Sequence, residues 1–227
     1  MNLFGLWVFL GTMALSLWAV WRVKSAYAKY SQVPSSSGLS GAEVAAHILQ
    51  RAGIGGVEIV QSSNLLTDHY DPMNRRLVLS PENFAGRSAA SMGVAAHECG
   101  HALQHQQAYA PLTLRMASVG LVGFASQAVY ILPIVGWFTH LFMPMLVLLC
   151  FGWSIIMLFN LVTLPVEFDA SARAKRVLAE MGLIRTPQEV QAVNGVLDAA
   201  AFTYVAAFIT SLSYLLYYFF ILSGRRN

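Results

Sequence analysis

The chain has 227 residues, of which 56% are hydrophobic and 11% charged, with a formal net charge of +3. Those proportions exclude an ordinary soluble domain and point to an integral membrane protein. No aromatic-studded basic patch accompanies the positive charge, which argues against a nucleic-acid partner.

Residues 3 to 21 are uncharged, and 19 residues make about 28 Å of helix, roughly one bilayer core. Residues 1–22 are therefore read as a first transmembrane helix. A cleaved signal peptide is the rival, because Ala26-Tyr27-Ala28 has the small-x-small form of a cleavage site. The missing basic n-region and the length of the apolar run argue against it.

Residues 23–115 follow as a polar region. Pro34 to Gly38 form a short joint, and Ser40-Gly41-Ala42-Glu43 is a capping box that opens a helix through Arg51, which Gly53 ends. Val57 to Val60 and Arg76 to Ser80 read as strands on either side of the turn-forming Asp71-Pro72-Met73-Asn74, giving a small hairpin or two-stranded sheet. A helix is expected from Ser88 to Gln107.

From Met116 to Val166 there is no Asp, Glu, Lys or Arg, and 51 residues exceed one crossing of a bilayer about 30 Å thick. Residues 116–164 are accordingly a transmembrane hairpin turning between Gly136 and His140. Leu164-Pro165-Val166-Glu167 is read as the start of a new helix with proline at its first position, ending near Gly182. Thr186-Pro187-Gln188-Glu189 is a second capping box whose helix runs on into a fourth span. Residues 165–198 form the second polar region, and 199–227 the fourth span and tail. The fold class expected is thus mainly α and membrane-integral, with four transmembrane helices and a small β element.

Of the 14 basic residues, eight lie between the first and second spans and four between the third and fourth. The positive-inside rule then places both polar regions in the cytoplasm of a multi-pass inner-membrane protein, although Arg225 and Arg226 at the other end argue mildly against it. Cys99 and Cys150 fall at different depths, so no disulfide is expected.

His97-Glu98-Cys99-Gly100-His101 is HExxH on a helix, which marks residues 23–115 as the catalytic region and adds a zincin-like unit to the fold class expected. Four residues turn about 400°, so both imidazoles share one face and can reach one Zn2+, while Glu98 beside them can serve as general base. A catalytic zinc site takes a third protein ligand. His105 continues the spacing, but its backbone lies about 12 Å along the axis from that of His97, too far for bonds of about 2 Å. A supporting, substrate-facing or merely exposed role is left for it. Glu167 is the better ligand, because two crossings of the hairpin return it to the side of the membrane that holds His97 and His101. His69 and Tyr70, in Asp68-His69-Tyr70-Asp71, are candidates to steady an oxyanion, or else simply polar turn residues. Arg76, Leu77, Val78, Leu79 and Ser80 are a candidate edge strand for an extended peptide. Cys99 points about 200° from His97 and reads as packing.

VAAHECGHALQH, LLTDHYDPMNRRLVLSPENFAGRS and LPVEFDASARA together resemble the YugP family of membrane zinc metallopeptidases, and more distantly the HtpX proteases. The resemblance implies zinc on His97, His101 and Glu167, with Glu98 as the base. HtpX-type enzymes carry an aspartate four residues after the glutamate ligand, where this chain has Ser171, which leaves open whether Asp169 takes that place. The function implied is zinc-dependent endopeptidase action on membrane-associated proteins, with peptide substrate and lipid bilayer as partners. A zinc-binding scaffold or regulatory subunit without turnover is the alternative. A channel or transporter fits poorly, since no charged pathway crosses the spans apart from His140 and Asp198 at their margins.

Overall fold

A computed structural model describes residues 3–63 and 67–224, so Leu65-Leu66 of the second motif and the Arg225-Arg226 pair lie outside the described residues. The element order is α1 (Leu3–Tyr30), α2 (Gly41–Arg51), β1 (Glu58–Gln61), β2 (His69–Asp71), β3 (Arg76–Leu79), α3 (Pro81–Phe84), α4 (Ala89–Gln106), α5 (Ala110–Thr139), α6 (Phe142–Glu180) and α7 (Pro187–Gly224). The chain divides into two units. One takes residues up to 20, 113–165 and those from 203 on; the other takes 21–112 and 166–202.

Among the described residues, four helices are long and apolar enough to cross a membrane, α1, α5, α6 and α7, and their apolar stretches make up the first unit. Their large side chains remain exposed, among them Trp7, Phe124, Tyr130 and Phe151, as expected where lipid replaces water. The hairpin turns at His140, which takes a left-handed φ of 58° between α5 and α6. Inside the unit, Trp153 stacks on Tyr214 with ring centroids 4.5 Å apart, and Asn160 donates to the Ala207 carbonyl and the Ser211 hydroxyl. These polar links join α6 to α7 where apolar contact with lipid gives no preference for helix association.

The second unit has a conventional core. The apolar face of α2, Val44, Ala45, Ile48 and Leu49, packs with Ala95, Ala96, Cys99 and Ala102 of α4, and β3 adds the fully buried Leu77 and Leu79. The Ser40–Glu43 capping box forms as the sequence predicts: the Ser40 hydroxyl accepts from the Glu43 N–H, and the Glu43 carboxylate accepts from the Ser40 N–H.

The strands differ from expectation. Among the described residues the sheet has three strands in the order β1-β3-β2, with β1 parallel to β3 and β2 antiparallel to it. The hairpin is β2–β3, and β1 joins from the other side. The third strand escaped the sequence pattern because His69-Tyr70-Asp71 is short, polar and next to a turn. Arg76 to Leu79 is therefore the central strand, and Ser80 just beyond it is buried, with its N–H and hydroxyl on the Asp68 carboxylate. The edge-strand role proposed for residues 76–80 is corrected: both sides of β3 are already paired, so its main chain has nothing to offer a peptide.

Pro165 also behaves differently. It does not begin a helix but sits inside α6, which runs unbroken from Phe142 to Glu180. Proline costs the helix one N–H donor and crowds the carbonyl of Leu161, four residues back. Buried Val166, Ala170 and Ala174 on the following turns hold the helix together past that defect. The helix then stops where Gly182 takes φ of 62°.

Glu189 fastens the start of α7. It is 1% exposed and accepts hydrogen bonds from the N–H groups of Ser36, Arg185 and Thr186 at 2.7, 2.9 and 2.8 Å, and from the Thr186 hydroxyl at 3.0 Å. Burial by itself would raise its pKa, but these donors outweigh it and hold the carboxyl at about 2, against an ordinary 4.5. A depressed carboxylate stabilises the fold above its unfolded pKa, and that contribution disappears as pH falls through the folded value. Glu189→Gln should therefore cost on the order of 2 to 3 kcal/mol at pH 7, measured by chemical denaturation of the detergent-solubilised protein. The gap between variant and parent should close as pH drops from 4.5 to about 2.

Candidate metal centre

α4 begins at Ser88, whose hydroxyl caps the Ser91 N–H, and its small residues let neighbours approach closely. Gly100, inside the HExxH motif, decides the site. A Cβ at that position would lie 2.5 Å from the Ala170 carbonyl oxygen, so α4 and α6 meet backbone to backbone there. This contact brings Glu167, one turn before Ala170, onto the face that carries His97 and His101.

The ligand atoms of His97, His101 and Glu167 all lie within 4.8 Å of one another. His97 Nε2 is 3.3 Å from Glu167 Oε2 and His101 Nε2 is 3.7 Å from it, and the two imidazoles sit edge to face with centroids 4.9 Å apart. A tetrahedral centre with bonds of about 2.1 Å separates its ligand atoms by about 3.4 Å, a value that the two observed spacings bracket.

The outer ring nitrogens settle what those inner atoms are. Gln104 is fully buried and gives both amide protons away, to the Val166 carbonyl and to Asp169 Oδ2, each at 2.8 Å. Its Oε1 can then only accept, and His101 Nδ1 lies 3.0 Å from it. A neutral His101 therefore carries its proton on Nδ1 and turns a bare Nε2 lone pair toward the Glu167 carboxylate. Ser171 Oγ stands 3.1 Å from His97 Nδ1 and can do the same for that ring. Lone pairs converging on a carboxylate repel unless a proton or a cation lies between them. With protons in that place, burial by itself would raise the Glu167 carboxyl, but hydrogen bonds from the two imidazoles prevail and hold it far below the ordinary range; burial would lower His101, and the same pairing raises it instead. The donor set of two imidazoles and one carboxylate fits one zinc ion.

Glu98, on the same helix turn, is buried, and desolvation pushes its carboxyl above the ordinary value despite the pull of His97 and His101. Asp169 does not reach a histidine itself. Its Oδ2 accepts from Gln104 and from Arg173 Nε at 2.5 Å, and Arg173 also donates to Gln107 Oε1 at 2.6 Å, so it steadies His101 through Gln104. Ser171 touches His97 at the position where HtpX-type proteases carry aspartate. His105 is not part of the cluster; its Nδ1 lies 3.0 Å from the Tyr70 hydroxyl. Tyr70 is thereby drawn to His105, and His69 is exposed with Nδ1 on the Thr67 carbonyl at 2.7 Å. Cys99 is core packing beside the Ala45 carbonyl.

Gln104 and Gly100 escaped the sequence reading. Gln104 follows His101 by three helix positions, which was visible, but its need for Val166 and Asp169 depends on a contact across more than sixty residues. Gln104→Ala removes the acceptor for His101 and one of the donors to Asp169. It should weaken zinc binding about 10- to 100-fold in a chelator competition without removing a ligand. An unchanged affinity would show that the ring needs no such support.

The family model described as "Putative neutral zinc metallopeptidase" matches residues 5–223. The "Putative membrane protease YugP" of Bacillus subtilis (strain 168) is 44% identical over 226 residues, covering 97% of this chain and 98% of that protein. No solved structure matches the chain. A family match of that extent, together with a centre whose donors suit zinc, makes this chain a member of that zinc metallopeptidase family and a multi-pass membrane protein.

Proposed function

We propose that the protein is a membrane-embedded, zinc-dependent endopeptidase that hydrolyses peptide bonds of membrane-associated proteins on the cytoplasmic side. One observation carries the reading: a second buried carboxylate, Glu98, stands on the turn that supplies the ligands yet remains outside the ligand cluster. A structural zinc site has no need of such a group.

His97, His101 and Glu167 would hold the metal, which when bound supplies a Lewis acid that polarises the scissile carbonyl and acidifies water. Glu98 takes the proton of the attacking water on its carboxylate and passes it to the leaving amine nitrogen. A carboxyl raised by burial is suited to both directions of that transfer near neutral pH. Gln104 and Ser171 keep the two imidazoles in the tautomer that leaves Nε2 free. Among the described residues, a peptide in extended form would find an unpaired main-chain edge on β2, which packs on α4, rather than on β3. The cytoplasmic side rests on the twelve basic residues in the two polar regions.

The four site positions should fail differently. Glu98→Gln should retain about one zinc per chain and lose roughly 10²- to 10⁴-fold in peptide cleavage. His97→Ala, His101→Ala and Glu167→Ala should lose zinc and activity together, and His105→Ala should keep zinc. Metal analysis and cleavage assays on the purified variants test this; a zinc-free Glu98→Gln would reverse the assignment. For orientation, cysteines at Ser36 and Arg185 should be shielded from a membrane-impermeant thiol reagent in intact cells. Labelling of either from outside would place the site on the other face.

A further inference from the structure

Tyr70 and His105 are the motif residues that the metal centre leaves unused, and they meet at a cavity of about 340 Å³. Gly55, Tyr70, Arg75, Ala102, His105 and Gln106 are among its lining residues, drawn from the loop after α2, strand β2, the β2–β3 turn and the last turns of α4. Among the described residues, no aspartate or glutamate lines it. The nearby carboxylates are occupied elsewhere: Asp71 accepts from the N–H groups of Met73 and Asn74 and from the Asn74 side chain, and Glu58 pairs with Arg76 at 3.1 Å. Arg75 folds back from a left-handed φ of 51°, and a Cβ at Gly56 would lie 3.6 Å from its Nη1. Among the described residues its guanidinium has no carboxylate partner.

The Tyr70–His105 pair adds a donor whichever way its proton lies. If the phenol donates to Nδ1, the imidazole carries its proton on Nε2; if Nδ1–H donates to the phenol oxygen, the phenol O–H remains free. A guanidinium and one neutral donor around a hollow without acids form an environment selective for anions. His105 follows His101 by one helical turn, about 6 Å along α4, which is about two residues of extended peptide at roughly 3.4 Å each.

We propose that this cavity is a substrate subsite for a carboxylate, either an acidic side chain or a free C-terminus, carried about two residues from the bond to be cut. The assignment rests on the peptidase reading for its ligand but not on turnover for its test. The full-length, zinc-loaded Glu98→Gln protein in detergent micelles would be titrated with three fluorescent octapeptides. One is C-terminally amidated with a central glutamate, one is amidated with glutamine in its place, and one is the glutamine peptide with a free C-terminus. One or both carboxylate peptides should bind about tenfold more tightly than the amidated glutamine peptide, and which of them does identifies the source of the carboxylate. Adding Arg75→Gln should abolish that preference while leaving zinc content and affinity for the amidated glutamine peptide unchanged; Arg75→Lys should keep part of it. Equal binding of all three peptides, or a preference that survives Arg75→Gln, overturns the subsite alone. Failure of every peptide to bind overturns the peptidase reading and the subsite with it.

Discussion

The functional unit depends on one close contact, the meeting of α4 and α6 at Gly100 and Ala170. A side chain at position 100 would run into a carbonyl oxygen 2.5 Å away, and relieving that clash would push the helices apart. Glu167 Oε2 is 3.3 Å from one imidazole and 3.7 Å from the other, so a separation of even an ångström would turn a three-ligand cluster into a histidine pair with a distant carboxylate. Of the two unspecified positions in HExxH, one is spent on this contact and the other, Cys99, on the core against α2. Neither is free to vary in size, although neither touches metal.

The same contact builds the support for the rings. Gln104 reaches across to Val166 and Asp169 only because the helices touch, and it is this pair of donations that forces its oxygen toward His101. The order of cause is therefore packing first, tautomer second and ligand basicity third. Arg173 closes the sequence by neutralising Asp169 and bracing Gln107 at the end of α4. A polar chain of this kind is worthwhile only when each member is satisfied, since an unpaired buried amide costs more than the network returns.

Much of this was legible in the residues, for reasons that differ by feature. His97, Glu98 and His101 share a helix, so their relation is fixed by the pitch alone, and the capping boxes at Ser40 and Thr186 are equally local. Glu167 was reachable because counting membrane crossings is a topological argument that needs no packing detail. What failed needed knowledge of neighbours. Arg76 to Leu79 looks the same to a pattern whether it lies at the edge or in the centre, and only the unseen third strand decides. Pro165 has the preferences of a helix start, yet the buried face that follows it carried the helix through. Ser171 was visible as a departure from aspartate, but its contact with His97 required the two helices to be set side by side.

Two glutamates in one small site are pushed in opposite directions, and the cause lies in their partners rather than their depth. Both are buried, and burial raises both. Glu167 has two imidazole nitrogens at hydrogen-bonding or near-bonding distance, so its charged form prevails and it meets a cation as an anion. Glu98 has the same histidines only as more distant charges, so desolvation prevails and its carboxyl holds a proton more readily. A ligand that titrated near neutrality would release its metal, and a base fixed as a carboxylate at every working pH could accept a proton but would surrender it too readily to hold it for the leaving amine. In the proposed mechanism, one helix turn thus places the carboxylate that shuttles a proton, and a second helix supplies the carboxylate that must not.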